Sequence, residues 1–260
     1  MTWYEAVFLG ALQGATEFLP VSSSGHLVMG QALLGIEVPG AGLETVLHAA
    51  TLLSVVIVYR ARIGALLAGI ARGDREQLGY GGLLVLASVP AAIAGLGFGD
   101  FFESLFDRPW IAGAGLLASG CVVWTARGAL ARGPPGAPGA ATALVMGLAQ
   151  AAAIVPGVSR SGTTVVAALW RGVSPSEAAA FSFLMSVVAV GGAALVKLPE
   201  VMAAGGPLTP GVLAAGGVAA CVTGVLAIRI FRTMLDNRSF HRFAPYLWVA
   251  GAAFLLYTSL

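Results

Sequence analysis

Two short segments of the chain carry polar residues whose types and spacing suit phosphate chemistry. The first runs from Gln13 to His26 and the second from Gln150 to Thr164, and each contains a glutamine, small residues, a proline and then hydroxyls with a glycine. The glutamines are offset by 137 positions and the prolines by 136, so the segments align with one gap. Polar groups left unsatisfied in apolar surroundings cost several kcal/mol each, so the two clusters indicate a functional site.

An anion site is the first chemistry that these segments predict. Their prolines and glycines place helix N-termini near Ser22 and Ser159, where free backbone N–H groups and the helix dipole favour a negative charge. Arg160 adds a planar guanidinium whose geometry matches phosphate. Four hydroxyls, an arginine and a helix N-terminus together describe a phosphate cradle.

Acid–base chemistry is the second. Gln13 and Glu17 are four positions apart and therefore share one face of a helix. A carboxylate beside a phosphate suggests a bridging divalent cation or a proton-transfer role. His26 can exchange a proton near neutral pH, and Ser23, three residues earlier, is a candidate nucleophile that His26 would activate.

Each residue also has a structural interpretation. Ser22 and Ser161 would serve as helix caps, and Glu17 with Arg160 as a structural ion pair, since charges within a membrane usually find a partner. His48 is interpreted as an interfacial residue near the outer end of a span. Seven polar residues at two loop tips favour a functional site over these separate explanations.

The elements that must position these residues belong to an integral membrane protein. Hydrophobic residues make up 58% of the chain and charged ones only 10%, against about 25% in soluble domains. Its net charge of +2 gives no reason to expect a nucleic-acid partner. The two cysteines predict apolar packing rather than a disulfide framework. The six predicted spans are 45–59, 78–98, 109–126, 178–196, 205–228 and 243–260.

Segments 2–36 and 140–173 are each interrupted near the middle, which predicts two re-entrant helix–loop–helix hairpins in an all-α fold. With 129–139 as a linker, repeats 1–128 and 140–260 each contain one hairpin and three spans. The orientation follows from eleven basic residues placed inside against an acidic outer side, so the repeats are inverted. Inverted repeats bring their broken helices together near the bilayer midplane, so the two tips are expected to meet.

These motifs resemble the undecaprenyl-pyrophosphate phosphatase family of the bacitracin-resistance type. The family is recognised by a (Glu/Gln)-x-x-x-Glu element, an S-S-x-G-H element and a P-G-x-S-R-S-G-x-T element. They stand here as Gln13–Glu17, Ser22–His26 and Pro156–Thr164, in order along the chain. The resemblance covers essentially the whole chain, and its third element is the most specific.

The resemblance implies a six-span enzyme of the bacterial inner membrane that removes a phosphate from a polyprenyl pyrophosphate lipid. The product lipid is recycled for cell-wall synthesis, and the activity confers bacitracin resistance. A divalent cation, Mg²⁺ or Ca²⁺, is the implied cofactor, and the site is expected to open to the periplasmic side. The glycine- and alanine-rich spans permit close helix contacts, either between two copies in a homodimer or within one chain.

The family motifs also assign roles to individual residues. Glu17, Ser23, His26 and Arg160 are the implied catalytic residues, with Glu17 the metal ligand and Ser23 the leading serine nucleophile. Attack by His26, or by water with His26 as base, stays open. The implied substrate-binding residues are Gln13, Ser22, Ser159, Ser161 and Thr164. The alternative function is a polyprenyl-phosphate flippase or transporter with a midplane anion site, which would move lipid without releasing phosphate.

Overall fold

The computed structural model describes residues 1–35, 42–130, 136–203 and 209–259 of the chain. Regular structure within these ranges is helical, apart from one isolated bridge between Gly136 and Val173. The prediction of an all-α protein is therefore confirmed. The α-helices are α1 Trp3–Phe18, α2 Ser23–Leu34, α3 Gly42–Ala71, α4 Arg75–Gly97, α5 Gly99–Phe106, α6 Pro109–Leu130, α7 Ala140–Ala152, α8 Arg160–Trp170, α9 Pro175–Ala203, α10 Pro210–Asp236 and α11 Phe243–Ser259.

Five of the described helices are long and apolar enough to cross a membrane, namely α3, α4, α6, α9 and α10. Large apolar side chains stand exposed on them; Leu96 is 81% exposed and Leu195 78% exposed. Such exposure is costly in water and favourable in lipid, so the chain is a multi-pass membrane protein. The sixth predicted span, 243–260, corresponds to α11, which has 17 residues. Its crossing of the membrane stays a prediction.

The helices extend beyond the charge-free segments that predicted the spans. Arg60 and Arg62 lie in α3, and Arg229 and Arg232 lie in α10, although all four lie beyond the ends of the predicted spans 45–59 and 205–228. A helix satisfies its own backbone hydrogen bonds, so it does not have to end where the apolar sequence ends. Glu37 and residues 205–208 of the predicted span 205–228 lie outside the described residues.

The four helices of the two interrupted segments are each shorter than a bilayer requires, as the interruptions predict. α1 and α2 have 16 and 12 residues, and α7 and α8 have 13 and 11. About 17–25 residues are needed for one crossing. The breaks fall between Phe18 and Ser23 and between Ala152 and Arg160, and they form loop 1 (residues 19–22) and loop 2 (residues 153–159).

Glycines let the neighbouring helices approach closely around these loops. A Cβ atom on Gly10 or Gly14 of α1 would overlap the backbone of α10, at Gly216 and Ala220 respectively. Small residues at such positions allow backbone-to-backbone contact between membrane helices. α1, which carries the first polar cluster, is therefore held rigidly against α10.

Candidate active site

Glu17 lies at the centre of the polar cluster and is buried, with 8% of its surface exposed. Its Oε2 atom accepts hydrogen bonds from Gln13 Nε2 at 2.9 Å and from Ser23 Oγ at 2.6 Å. Its Oε1 atom accepts a hydrogen bond from Arg160 Nη2, which also forms an ion pair with it. The Glu17 carboxylate therefore joins α1, which precedes loop 1, to α8, which follows loop 2, and it also bonds the candidate nucleophile Ser23.

The two loops lie in contact, as the sequence predicts. Besides the Glu17–Arg160 pair, Ser161 Oγ donates to the carbonyl oxygen of Leu19 at 3.0 Å. A Cβ atom on Gly25 would lie 3.4 Å from the Cα atom of Gly157. Residues separated by more than 130 positions thus converge on one polar centre inside an otherwise apolar protein.

Two buried polar atoms at this centre have no hydrogen-bond partner within the described part of the chain. They are Nη1 of Arg160, a donor, and Oε1 of Gln13, an acceptor. An unpaired buried donor or acceptor costs about 1–3 kcal/mol, so such atoms persist where a ligand satisfies them. The guanidinium can bind an anionic oxygen, and the amide oxygen can bind a cation or a hydroxyl group.

Ser22 shapes the start of α2 through an unusual backbone conformation. Its φ is 67°, in the left-handed region that few residues other than glycine adopt. The Ser22 carbonyl then accepts from the backbone N–H of His26 at 3.2 Å and from His26 Nδ1 at 2.8 Å. The Ser22 hydroxyl accepts from the backbone N–H of Gly25 at 3.4 Å. This is the capping geometry that the structural interpretation of Ser22 anticipates, and its contact with substrate stays a prediction.

The expected pairing of Ser23 with His26 is wrong. Ser23 donates to Glu17, while the two ring nitrogens of His26 are taken by the Ser22 carbonyl and by the hydroxyl of Tyr246. One helical turn separates Ser23 from His26 in sequence, but their side chains meet different neighbours because loop 1 directs Ser23 towards α1. The proton acceptor for Ser23 in this structure is the Glu17 carboxylate.

α6 holds loop 2 in place through a buried serine. Ser119 Oγ donates to the carbonyl oxygen of Gly157 at 3.0 Å and accepts from the backbone N–H of Ser159 at 2.8 Å. Gly157 has a φ of 83°, and a Cβ atom there would overlap Ala112 of α6. Ser119 therefore fixes Ser159, the N-cap residue of α8, immediately before Arg160.

The hydroxyls of α8 make hydrogen bonds within the protein. Ser159 Oγ caps the helix by accepting from the backbone N–H of Gly162 at 3.1 Å. Thr164 Oγ1 lies 2.7 Å from the carbonyl of Arg160 and 2.7 Å from Ser182 Oγ of α9. Ser161 bonds to loop 1, as described above. These contacts position Arg160; the binding of phosphate by Ser159, Ser161 and Thr164 stays a prediction.

His48 also contacts this centre, which the sequence did not predict, and its interfacial position stays a prediction. Its Nε2 atom lies 3.5 Å from Glu17 Oε2, and 30% of its side chain is exposed. α3 packs against α1 and α10, which brings His48 to the rim of the polar cluster. Tyr246 and Ser119 are two further residues of the site that the motifs do not include.

The oxygen atoms at Glu17 and Gln13 suit a metal cation that is also bound by the substrate. The described residues contain no group of three His, Cys, Asp or Glu side chains that would hold a metal ion alone. The Glu17 carboxylate and the unpaired Gln13 oxygen supply two hard oxygen ligands. Mg²⁺ commonly takes one or two carboxylates and completes its shell with substrate phosphates and water. The residues present therefore fit a divalent cation that binds together with a phosphorylated ligand.

Fold and site together define a helical multi-pass membrane protein with a buried acid–arginine–serine centre between two broken helix pairs. The profile of the family described as Bacitracin resistance protein BacA matches residues 6–253. The chain therefore belongs to this family, and the resemblance found in the sequence motifs is confirmed.

Full-length relatives of the chain carry one name. The undecaprenyl-diphosphatase of Rubrobacter xylanophilus is 42% identical, with 95% of each chain covered. That of Syntrophotalea carbinolica is 39% identical, with 100% of each chain covered. That of Desulfatibacillum aliphaticivorans is 36% identical, with 98% of this chain and 99% of the relative covered. These names describe a phosphatase and give no support to the transporter alternative.

Proposed function

We propose that this protein is an undecaprenyl-diphosphatase, a hydrolase that converts undecaprenyl pyrophosphate into the monophosphate and inorganic phosphate. Its membership of the bacitracin-resistance family and its full-length similarity to enzymes of that name support this function. The reaction returns the carrier lipid to cell-wall synthesis and confers resistance to bacitracin.

The observation that carries the chemistry is the Ser23–Glu17 hydrogen bond of 2.6 Å beside Arg160. A nucleophile within hydrogen-bond reach of a base is the arrangement that covalent catalysis requires. Ser23 Oγ attacks the terminal phosphorus and gives its proton to Glu17. The bond from that phosphorus to the bridging oxygen breaks, and the lipid monophosphate leaves with the electron pair.

Arg160 stabilises the charge that develops during this step. Its unpaired Nη1 atom is a buried donor beside the nucleophile, where water screens electrostatic interactions weakly. A divalent cation held by Glu17 and Gln13 Oε1 would supply further neutralisation of phosphate charge when bound. The anion site thus combines a fixed guanidinium with the backbone N–H groups that begin α8.

Hydrolysis of the phosphorylated Ser23 completes the cycle. Water attacks the phosphorus and transfers a proton to His26 Nε2. Ser23 Oγ leaves and recovers its proton from Glu17, and His26 returns its proton to solvent as inorganic phosphate is released. This sequence gives His26 a role that does not depend on contact with Ser23, in keeping with the separate hydrogen bonds of the two residues.

The nucleophile is tested by trapping the intermediate. Purified protein in detergent, given terminally ³²P-labelled farnesyl pyrophosphate and quenched in acid, is expected to yield phosphoserine. Ser23→Ala should abolish the adduct and lower the rate of phosphate release about 10³-fold. Ser24→Ala, a change at the adjacent serine, is the matched control and should retain both. Phosphate release without any adduct would exclude the serine step, and no chelator-sensitive release at all would exclude the function.

The fine architecture is part of the proposal. Six spans and two re-entrant hairpins, arranged as inverted repeats, place the site near the midplane of the bacterial inner membrane with an opening to the periplasm. The convergence of loops 1 and 2 supports this arrangement.

The orientation is tested by cysteine labelling. Cysteines are introduced at Arg72 and Asp100, both exposed, in a protein whose own cysteines are replaced by serine. An impermeant maleimide should label Asp100→Cys in spheroplasts and Arg72→Cys only after lysis; the reverse pattern would overturn the orientation.

A further inference from the structure

Tyr246 makes the closest contact to His26 from outside the two loops. It lies on α11, 220 positions away in sequence, and its hydroxyl is 2.5 Å from His26 Nε2. The two rings are stacked, with centroids 5.7 Å apart and an interplanar angle of 17°. Two independent contacts, one through the hydroxyl and one through the ring, therefore join α11 to the polar centre.

The second ring nitrogen of His26 has a partner that fixes the tautomer. Nδ1 lies 2.8 Å from the carbonyl oxygen of Ser22, which can only accept a hydrogen bond. In the neutral ring Nδ1 therefore carries the proton, and Nε2 has the lone pair that accepts from the Tyr246 hydroxyl. The left-handed conformation of Ser22 turns its carbonyl to this task.

We propose that Tyr246 is a positioning residue that holds the His26 ring, in the Nδ1–H tautomer set by the Ser22 carbonyl, with Nε2 oriented to accept a proton from water. This inference rests on the proposed function for the role of His26 as base. Tyr246 is 48% exposed, so its hydroxyl can move aside without breaking buried packing when water takes its place. Before water arrives, the Tyr246 hydroxyl is the hydrogen-bond partner of Nε2. Without it, Nε2 would be an unpaired acceptor within the membrane, and the His26 ring would tend to rotate to find another partner.

A purely structural role for Tyr246 makes a different prediction. Aromatic residues are common near the ends of membrane helices, and a hydroxyl–imidazole bond between helices is a known form of packing. In that case loss of the hydroxyl would affect stability alone, and both chemical steps would keep their rates. The positioning role instead affects one step, the hydrolysis of phosphorylated Ser23, because only this step uses His26 Nε2.

Tyr246→Phe separates these two roles because it removes the hydroxyl and keeps the ring. In single-turnover quench-flow measurements, the rate constant for loss of phosphoserine should fall about tenfold, the change expected from one orienting hydrogen bond. Its formation should stay within twofold of the wild type. Tyr257→Phe, at another half-exposed tyrosine of α11, is the control and should change neither rate. Equal slowing of both steps, or no slowing of either, would overturn the proposal.

A spectroscopic measurement tests the same point without the variant. In wild-type protein labelled with ¹⁵N-histidine, His26 should show a protonated Nδ1 and a hydrogen-bonded, unprotonated Nε2 at neutral pH. A ring protonated on Nε2 would overturn the proposal even if Tyr246→Phe does not fold. This measurement needs no turnover, so its result is independent of the activity assay. A protein that releases no phosphate would refute the proposed function, whereas the NMR result alone would decide the tautomer of His26.

Discussion

Replacing Arg160 with alanine breaks the ion pair between the Arg160 guanidinium and the Glu17 carboxylate. The side chains of Arg160 and Glu17 are 14% and 6% exposed, so the pair is largely desolvated. Loss of one partner from a buried pair costs about 3–5 kcal/mol. Glu17 keeps donors at 2.9 Å and 2.6 Å, so we expect the lower end of this range, about 3 kcal/mol.

The catalytic consequence is separate from this loss of stability. Removal of one donor to a developing phosphate charge lowers kcat by about 10²–10³-fold. A stability loss of about 3 kcal/mol corresponds to a melting temperature about 6–12 °C lower. Both effects are within reach of a phosphate-release assay and a thermal-unfolding scan on the same detergent-purified sample.

A double variant separates the two effects. Glu17→Gln combined with Arg160→Ala removes both charges of this buried pair, so the melting temperature should return to within about 4 °C of the wild type. Its activity should be no higher than that of Arg160→Ala, because Glu17 is also lost. Arg127→Ala is the control for loss of one positive charge, since Arg127 is exposed and lies over the ring of Trp124. It should change neither quantity appreciably.

The reasoning fails if folded Arg160→Ala releases phosphate within tenfold of the wild-type rate. It also fails if the double variant melts as low as the single one, because the buried unpaired charge would then not be the cause of the instability. The first result would remove Arg160 from the anion site, and the second would remove the ion pair from the account of stability.

Three further changes test other parts of the site. Gly14→Ala should lower the melting temperature by several degrees because its methyl group would overlap the α10 backbone, whereas Gly79→Ala, at an exposed site with open space around it, should not. Gln13→Ala should raise the concentration of Mg²⁺ or Ca²⁺ that gives half-maximal activity about tenfold, while Gln150→Ala should leave it unchanged; equal shifts would argue against a ligand role for the Gln13 oxygen. Ser119→Ala removes two hydrogen bonds to loop 2 and should lower kcat about tenfold, as measured by phosphate release; an unchanged kcat would show that the loop holds its shape without them.

The parts of the site that could be predicted from sequence are those with local signals. Proline, glycine and clustered hydroxyls interrupt two apolar segments, and this predicts both the broken helices and their meeting. Glu17 and Arg160 were evident because charges are rare in such segments. Helix ends were predicted less well, since Arg62 and Arg229 continue helices that the charge pattern ended earlier.

The remaining site residues carry no such signal. Tyr246 resembles any aromatic residue near the end of a membrane helix, and Ser119 is one small residue in an apolar run. Their roles come from packing partners that are 220 and about 40 positions away. The Ser23–Glu17 bond was missed for a related reason: helical spacing relates Ser23 to His26, but the backbone of loop 1 decides which neighbour Ser23 meets.

Chain order adds a demand on biogenesis, because Glu17 precedes Arg160 by 143 positions. Translation at about 5–20 residues per second leaves an interval on the order of 10 s between the synthesis of the two residues. With the site near the midplane, as proposed, the nascent protein carries an acid within the membrane without its cation during that interval, a cost of about 3 kcal/mol on insertion scales. Emergence of Arg160 from the ribosome is then the moment at which the core can become electrically balanced, and a chain truncated before it cannot reach that state.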